Sequence, residues 1–568
     1  MPNTEKSSVS SAAQFPDYPL RLWRWFDRTV LDLGRQLRLS YLPPLMVYLA
    51  AGISGLTSIV GTFFVKDYLG LSAEVLAALG FWTMLPWALK MPLGHLVDLG
   101  WRHKAGLIYL GAGLIAISLL IMIGLLAAPA AMRDIASGET WYVLSAILAT
   151  LGYVLQDTVA DAMTVEAVPR VDAAGQPISE EALRLAHTTM QTLGRVAIIG
   201  GSMLVAAINV YLFSGVESLS AEQIADVYLD VYGLALAIPL VSVIGVLLAE
   251  RIRRRQTERL AVQGFTASEI ERLLYGRSLE PPEPNWWILG GGLAFTVFSA
   301  VMGLASVAFN EEIVFVGSLW IVLFLMARLT EDLEPAARKA LFGTALVIFV
   351  FRAIPLTGAG STWWMIDVLG FDQQFLSKLS LLASALTLLG LFIFRRYLAE
   401  RSITYVIGVL TVIGALMFLP DIAMYYGFHR WTAVHTGGVV DARFIALVDT
   451  AIESPLGQIA MIPMLAWIAN AAPDRLKATY FAVLAAFTNL ALSLSQLGTK
   501  YLNQIFIVMR EIRDPLTGAV TVPADYTQLG GLFVAVALVG LALPLASIYI
   551  VNATLMPPSV ARIAASER

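Results

Sequence analysis

The sequence predicts an all-α polytopic membrane protein, and three observations lead there. The chain has too little charge to cover a water-facing surface, it carries a long series of apolar stretches of spanning length, and its basic loops alternate from side to side. Of 568 residues, 58% are hydrophobic and 14% charged, with a mean hydropathy of +0.72. A soluble chain carries about 25% charged residues, so the apolar excess must face lipid. The net charge of −4 makes no case for nucleic-acid binding. With no cysteine in the chain, disulfides, thiol catalysis and cysteine-ligated metals are excluded.

A spanning helix needs about 20 apolar residues. Stretches of that kind lie at 44–65, 75–97, 105–127, 141–166, 188–213 and 231–249. After a charged, proline-rich segment from Glu250 to Asn285 they resume at 286–309, 312–328, 338–356, 373–394, 403–419, 442–470, 477–507 and 529–553. Only Asn310 and Glu311 separate the first two of this second set. The expected total is about fourteen. Loops holding Arg102 and Lys104, Arg170 and Arg184, Arg251 to Arg277, Arg395 to Arg401, and Arg475 and Lys477 all fall on one side. The opposite loop 214–230 holds Glu217, Glu222, Asp226 and Asp230 and no basic residue. Basic loops stay cytoplasmic, so both termini are expected there, in a bacterial inner membrane. Met1 to Pro19 is polar and lacks a signal-peptide core. Tyr18 to Leu39 interleaves Leu22, Trp23, Phe26, Val30, Leu33 and Leu37 with five arginines, which suits either an amphipathic surface helix or a soluble basic leader.

Two short echoes suggest an internal repeat. Lys66-Asp67-Tyr68-Leu69-Gly70-Leu71 and Ile366-Asp367-Val368-Leu369-Gly370-Phe371 both fall on the outer side. Arg184-Leu185-Ala186-His187-Thr188 and Arg475-Leu476-Lys477-Ala478-Thr479 both begin a long helix on the inner side. Repeats of equal orientation arise from two six-helix halves related by an axis along the membrane normal, the plan of major facilitator transporters. The expected organisation is then a cytoplasmic segment at 1–43, a six-helix half at 44–249, a cytoplasmic loop at 250–285, an extra central hairpin at 286–337, a second half at 338–553 and a tail at 554–568.

Gly94-His95-Leu96-Val97-Asp98-Leu99-Gly100-Trp101-Arg102-His103-Lys104 resembles the major facilitator signature between the second and third spans. The resemblance narrows to the folate–biopterin transporter family on three stretches: Lys66 to Leu71 continuing to Leu85-Pro86-Trp87-Ala88-Leu89-Lys90-Met91-Pro92-Leu93-Gly94; Leu155-Gln156-Asp157-Thr158-Val159-Ala160-Asp161-Ala162; and Gly457 to Pro463 followed by Ala478-Thr479-Tyr480-Phe481-Ala482 and Asn489. The departures are Lys477, where an acid is expected, and the added hairpin. The resemblance implies a secondary transporter of folates or pterins, a symporter working by alternating access.

Charges within spans are costly, about 2.5–3.5 kcal/mol each on the lenient insertion scale, and so face a bundle interior or a wet cavity. Tyr153, Asp157, Asp161 and Thr164 fall on one stripe. Two carboxylates one turn apart repel, which suits proton coupling, unless both simply pair with Lys90 or Arg195. Gln156 belongs to the same motif. On the next span Thr188, Gln191, Arg195 and Ser202 share a face, and Arg195 suits a carboxylate through two hydrogen bonds. Arg352 is a second anion contact. Asn489, Ser493, Gln496 and Lys500 form a stripe that would be costly against lipid and is expected to line a cavity, the alternative for Lys500 being to snorkel at the outer interface. Expected gate residues are Asp67, Asp367, Lys90, Asp98, Arg102, Asp449 and Glu453. Lys90 lies about 12 Å along the helix from Asp98 at 1.5 Å per residue. Trp363, Trp364, Tyr425 and Tyr426 could stack on a pterin ring or belong to an interfacial belt.

No nucleotide loop, dinucleotide fingerprint or paired metal-binding histidines occur, so neither an enzyme nor a cofactor is expected. The expected partners are a small-molecule organic anion, protons and the lipid bilayer. A monomer is compatible with the sequence. Two alternatives stay open: a major facilitator transporter of another organic anion, such as a muropeptide or drug, and a transporter-like assembly factor for pigment–protein complexes.

Overall fold

A computed structural model describes residues 23, 24, 27, 31–100, 103–168, 178–275, 284–305, 307–331, 333–399, 401–456, 477–513 and 520–554. The chain divides into two compact units, Met1–Leu39 and Ser40–Arg568. In the first, a single helical turn at Asp32–Arg35 is described, and Arg35 pairs with Asp27 at 2.7 Å. The rest of the expected amphipathic helix lies outside the described residues, apart from residues 23, 24, 27, 31 and 36–39.

The second unit is helical. Its elements are α1 (Leu42–Ile53), α2 (Ser58–Tyr68), α3 (Ala73–Met84), α4 (Lys90–Leu99), α5 (Ala105–Ala127), α6 (Gly138–Ala167), α7 (Glu180–Leu212), α8 (Ala221–Ala235) and α9 (Ala237–Val262). A short amphipathic α10 (Ala267–Tyr275) follows, then α11 (Trp286–Leu304), α12 (Asn310–Leu329), α13 (Pro335–Arg352), α14 (Ala359–Asp367) and α15 (Gln373–Ala399). The chain continues through α16 (Ile403–Met417), α17 (Leu419–Tyr425), α18 (Phe428–His435), α19 (Ala442–Glu453), α20 (Lys477–Ile505) and α21 (Leu529–Thr554). Between α20 and α21 two strands, β1 (Ile512–Arg513) and β2 (Val520–Val522), pair antiparallel. Serines cap the starts of α3, α6, α7, α8 and α16, each accepting a backbone N–H of the first turn.

Among the described residues, ten helices are long and apolar enough to cross a membrane. The other expected spans fall short of that simple measure for visible reasons. The stretch 75–97 is interrupted by a 3₁₀ segment at Leu85–Leu89 and carries Lys90. The stretch 338–356 ends at Arg352, and 442–470 is described only as far as 456. Within the stretch 477–507, residues Lys477–Ile505 form α20, whose early residues carry the Ala478–Thr479 motif.

Packing is organised around two seams. α1 lies against α7 and α9, and α5 against α6; α13, α16 and α21 form a second set. The sets meet where α3 packs on α20 and α7 packs on α15. α1 and α7 approach closely because Gly52 and Gly201 face each other. A Cβ on Gly52 would sit 2.1 Å from the Ile198 carbonyl oxygen, so any side chain there would force the helices apart. The hairpin α11–α12 is part of the core. Ile288, Phe295, Val314 and Met326 share a buried cluster with Phe81 and Leu85 from the α3 region, Ile348 from α13 and Leu490 from α20.

The first span and the span at 338–367 are broken in the same way. A 3₁₀ turn at Ser54–Thr57 separates α1 from α2, and residues 353–358 separate α13 from α14. Backbone groups freed inside a bilayer need partners. For the first break, Asn209 Nδ2 donates to the Leu56 carbonyl at 3.0 Å and Ser202 Oγ to that of Gly52 at 3.3 Å. For the second, Ser495 Oγ donates to the Ile354 carbonyl at 2.6 Å, and the Leu356 N–H donates to Thr499 Oγ1 at 2.8 Å. In both sets the long helix that repairs the break is the one expected from the repeat, α7 or α20.

Candidate functional site

The densest charge cluster among the described residues is built on the carboxylate stripe of α6. The 3₁₀ segment Leu85–Leu89 ends just before Lys90 and turns that side chain toward α6. Lys90 Nζ lies 2.5 Å from Asp157 Oδ2 and 2.7 Å from Asp161 Oδ2. Tyr48 on α1 donates its hydroxyl to Asp161 Oδ1 at 2.6 Å. Asp157 is the better buried of the two, its side chain 18% exposed against 43% for Asp161. Asp161 also anchors the next turn, since Thr164 Oγ1 donates to its carbonyl at 2.7 Å and in turn accepts from Gln191 Nε2 at 3.3 Å.

Arg195 stands beside this cluster on α7. It lies within electrostatic reach of Asp157 and Tyr48, and of Arg352 at the end of α13. Among the described residues Arg195 makes no hydrogen bond or ion pair. One ammonium therefore serves two carboxylates, while a guanidinium from each helix set is held close by. Lys90 pairs with both aspartates, the arrangement that the sequence reading set against a proton-coupling stripe.

Gln156 does not join the cluster. It is 3% exposed and points the other way, accepting from Ser242 Oγ at 2.9 Å and donating to the Ile108 carbonyl at 3.4 Å. One residue along a helix is a rotation of about 100°, which turns Gln156 onto α5 and α9 when Asp157 faces inward. The polar stripe of α20 also differs from expectation. Asn489 Nδ2 donates to the Trp87 carbonyl at 3.3 Å, using a backbone acceptor in the 3₁₀ segment. Gln496 packs over Gly80 of α3, and Ser493 is fully buried. Lys500 pairs with Glu311 at 3.3 Å and Glu312 at 3.5 Å on α12 instead of snorkelling. The stripe thus faces the α3–α20 seam and the hairpin that covers it.

Asp67 and Asp367, 300 positions apart in the echo motifs, meet at the end of the bundle that loop charge marks as outer. Lys66 Nζ lies 2.7 Å from Asp367 and 3.4 Å from Asp67. Tyr526 donates its hydroxyl to Asp367 at 2.5 Å, and Arg510 stacks over Trp363 at 5.4 Å within reach of both acids. Arg443 adds a second link, to Glu217 at 3.2 Å and Asp372 at 2.9 Å. Burial alone would raise the Asp372 carboxyl, but its contact with Glu217, the Phe375 N–H and the Arg443 guanidinium outweigh it and hold it below the usual carboxylate range. Gln373 Nε2 donates to Tyr228 Oη at 2.8 Å and Gln504 Nε2 to Glu74 at 2.6 Å across the same seams.

Asp98 lies near the end of α4, and Arg102 lies outside the described residues. On α19, Asp449 and Glu453 face Asp421 of α17 and act on one another electrostatically. Trp363 and Trp364 are buried, Trp364 against Tyr425 and Phe533, so they form core and not an open stacking surface.

Several partners escaped the sequence reading: Tyr48, Lys66, Arg443, Arg510, Tyr526, Asp421 and the Glu311–Glu312 pair. Lys66 stood in the echo motif beside Asp67, and Asp421 is an acid at the end of an apolar span. Tyr48 carries no signal of its own, since a tyrosine in an apolar helix is ordinary.

The comparisons with known proteins agree with this architecture. The sequence matches the BT1 family over residues 51–557. It is 23% identical over 472 residues to a protein named folate-biopterin transporter from Synechocystis sp. (strain ATCC 27184 / PCC 6803 / Kazusa), covering 82% of this chain and 75% of that one. Among solved structures, a POT family transporter in complex with a thioalcohol-conjugated peptide superposes with a TM-score of 0.55 at 12% identity, over 93% of this chain and 97% of the other. A mutant of the nucleoside transporter NupG gives a TM-score of 0.50 at 11% identity, over 90% and 100%. The fold is therefore the major facilitator fold, and the many apolar helices make this a multi-pass membrane protein. With the family match spanning nearly the whole chain, the protein belongs to the BT1 family, a family of transporters and not of enzymes.

Proposed function

We propose that this protein is a proton-coupled secondary transporter of an organic anion of the folate or pterin class. The observation that carries the reading is the Lys90–Asp157–Asp161 cluster with Arg195 and Arg352 beside it. The carboxylates can exchange a proton while Lys90 stays charged, and the guanidiniums suit a carboxylate-bearing substrate. The name of the Synechocystis relative supports the substrate class.

In this reading, segments 44–249 and 338–553 rock against each other by alternating access, with 286–337 as an added hairpin. Segments 1–43, 250–285 and 554–568 lie in the cytoplasm of a bacterium, the chain sits in the inner membrane, and a monomer suffices. The Lys66–Asp367 pair closes the outer side, and Asp98 and Arg102 act at the inner side.

The test is uptake of labelled folate into proteoliposomes holding the purified protein, with and without an imposed proton gradient. Gradient-driven accumulation is expected in the wild type and absent in Asp157→Asn. Arg195→Ala and Arg352→Ala each remove a charge-assisted contact of roughly 1.5–3 kcal/mol, so KM rises about tenfold or more. Uptake of another anion in place of folate would move the substrate class. Wild-type behaviour of Asp157→Asn and Arg195→Ala, with no transport of any anion tried, would favour the assembly-factor alternative.

A further inference from the structure

Two aspartates share Lys90, yet their surroundings are unequal. Asp161 accepts from the ammonium through Oδ2 and from the Tyr48 phenol through Oδ1, so both of its oxygens are engaged. Among the described residues Asp157 contacts the ammonium alone, with Arg195 within electrostatic reach, and is more deeply buried. Tyr48 has little freedom to leave. Its ring lies against Gly194, where a Cβ would sit 2.9 Å from Cε2, and Arg195 follows directly on the same helix.

We propose that Tyr48 is a positioning residue that keeps Asp161 ionised as the permanent partner of Lys90, leaving Asp157 as the carboxyl that takes up and releases the transported proton. This rests on the proton-coupled reading above. The reason is a comparison of losses. A proton on Asp161 forfeits an ammonium contact and a phenol hydrogen bond to a charged oxygen. A proton on Asp157 forfeits an ammonium contact and the longer-range attraction of Arg195, but no hydrogen bond from a phenol, and Lys90 keeps Asp161. The charged and titratable groups facing the pair are Tyr48 from α1, Lys90 from α4 and Arg195 from α7, with Arg352 of α13 acting on Arg195. The step is balanced simply. A hydronium ion breaks one O–H bond and leaves as water as its proton bonds to the Asp157 carboxylate, the Lys90 ammonium moves fully onto Asp161, and no other bond changes.

The experiment is an infrared pH titration of the full chain in lipid, following the C=O stretch of a protonated carboxyl, for wild type, Asp157→Asn, Asp161→Asn, Tyr48→Phe and the Tyr48→Phe/Asp157→Asn pair. The wild type is expected to gain a titrating band as pH falls. Asp157→Asn loses it, Asp161→Asn keeps it at a lower midpoint, and Tyr48→Phe raises the midpoint. In the double variant the band returns, because Asp161 has lost its phenol donor. A band that survives Asp157→Asn and vanishes in Asp161→Asn overturns the assignment. So does a double variant that stays silent, or a wild type with no titrating band. Thermal melts of each variant identify any that fails to fold, and the remaining members of the series still decide. Folate uptake measured in parallel separates the two claims: absent gradient-driven uptake with the expected bands refutes the transport reading and leaves the proton assignment standing.

Discussion

Lys90 carries more of the central site than any other single residue, because it is the shared cation of two acids. Removing one member of a buried ion pair strands the other, at a cost of about 3 kcal/mol or more. Lys90→Met strands both Asp157 and Asp161, so it is expected to lower the melting temperature more than Asp157→Asn, which leaves Lys90 with Asp161. Thermal unfolding in detergent checks this order. Equal shifts would mean that the cluster is solvated and contributes little. At the outer end, Asp372 gives a pH prediction. Its carboxyl is held below the ordinary value, so its stabilisation is present above the unfolded-state value and is lost as pH falls through the folded one. The Arg443 link should therefore loosen on acidification, with Asp372→Asn removing that part of the pH dependence of the melting temperature.

At the scale of elements, the hairpin α11–α12 is tied to both helix sets. α11 packs on α4, where a Cβ on Gly292 would sit 2.3 Å from Pro92, and the Asn285 N–H donates to His95 Nε2 at 2.8 Å. α12 is tied to α20 through Lys500 with Glu311 and Glu312, and Tyr501 donates to Glu312 at 2.5 Å. The three charges are half-buried or better, so Lys500→Met should lower the melting temperature, and adding Glu311→Gln/Glu312→Gln should recover most of the loss. A neutral result for Lys500→Met would reduce the contact to a solvated surface pair. Gly292→Leu cannot be accommodated without moving α11, and a lowered melting temperature of that variant in detergent would report the displacement.

For the whole molecule, the end that loop charge marks as outer is held by contacts that join the two helix sets: Lys66–Asp367, Arg443–Glu217, Gln504–Glu74 and Gln373–Tyr228. Opening that end requires breaking them together. The chain has no cysteine, so spin labels at Glu222→Cys and Val434→Cys, two exposed outer positions, report their separation without a background. Lys66→Asp should shift the distance distribution toward longer values, and the exchange Lys66→Asp/Asp367→Lys should return it. An unchanged distribution in Lys66→Asp would leave the other contacts as the ones that keep this end shut.

What the sequence determined by itself was everything that depends on hydropathy and helical period. The polytopic α fold and the Asp157–Asp161 stripe follow from residue spacing, because exposed polarity is costly in a bilayer and a helix repeats every 3.6 residues, while the family was legible only through the resemblance of its motifs. The echo of Lys66-Asp67 in Ile366-Asp367 even marked two segments that meet. Tertiary structure alone decided which polar residue faces which neighbour. It sent Gln156 to Ser242 and Asp157 to Lys90, made the α20 stripe a seam, gave Lys500 to the hairpin, and brought Tyr48 to Asp161. Those choices turn on the rotation and depth at which two helices pack, and a break such as Leu85–Leu89 resets both; the periodicity of one helix holds no information about the face its partner presents.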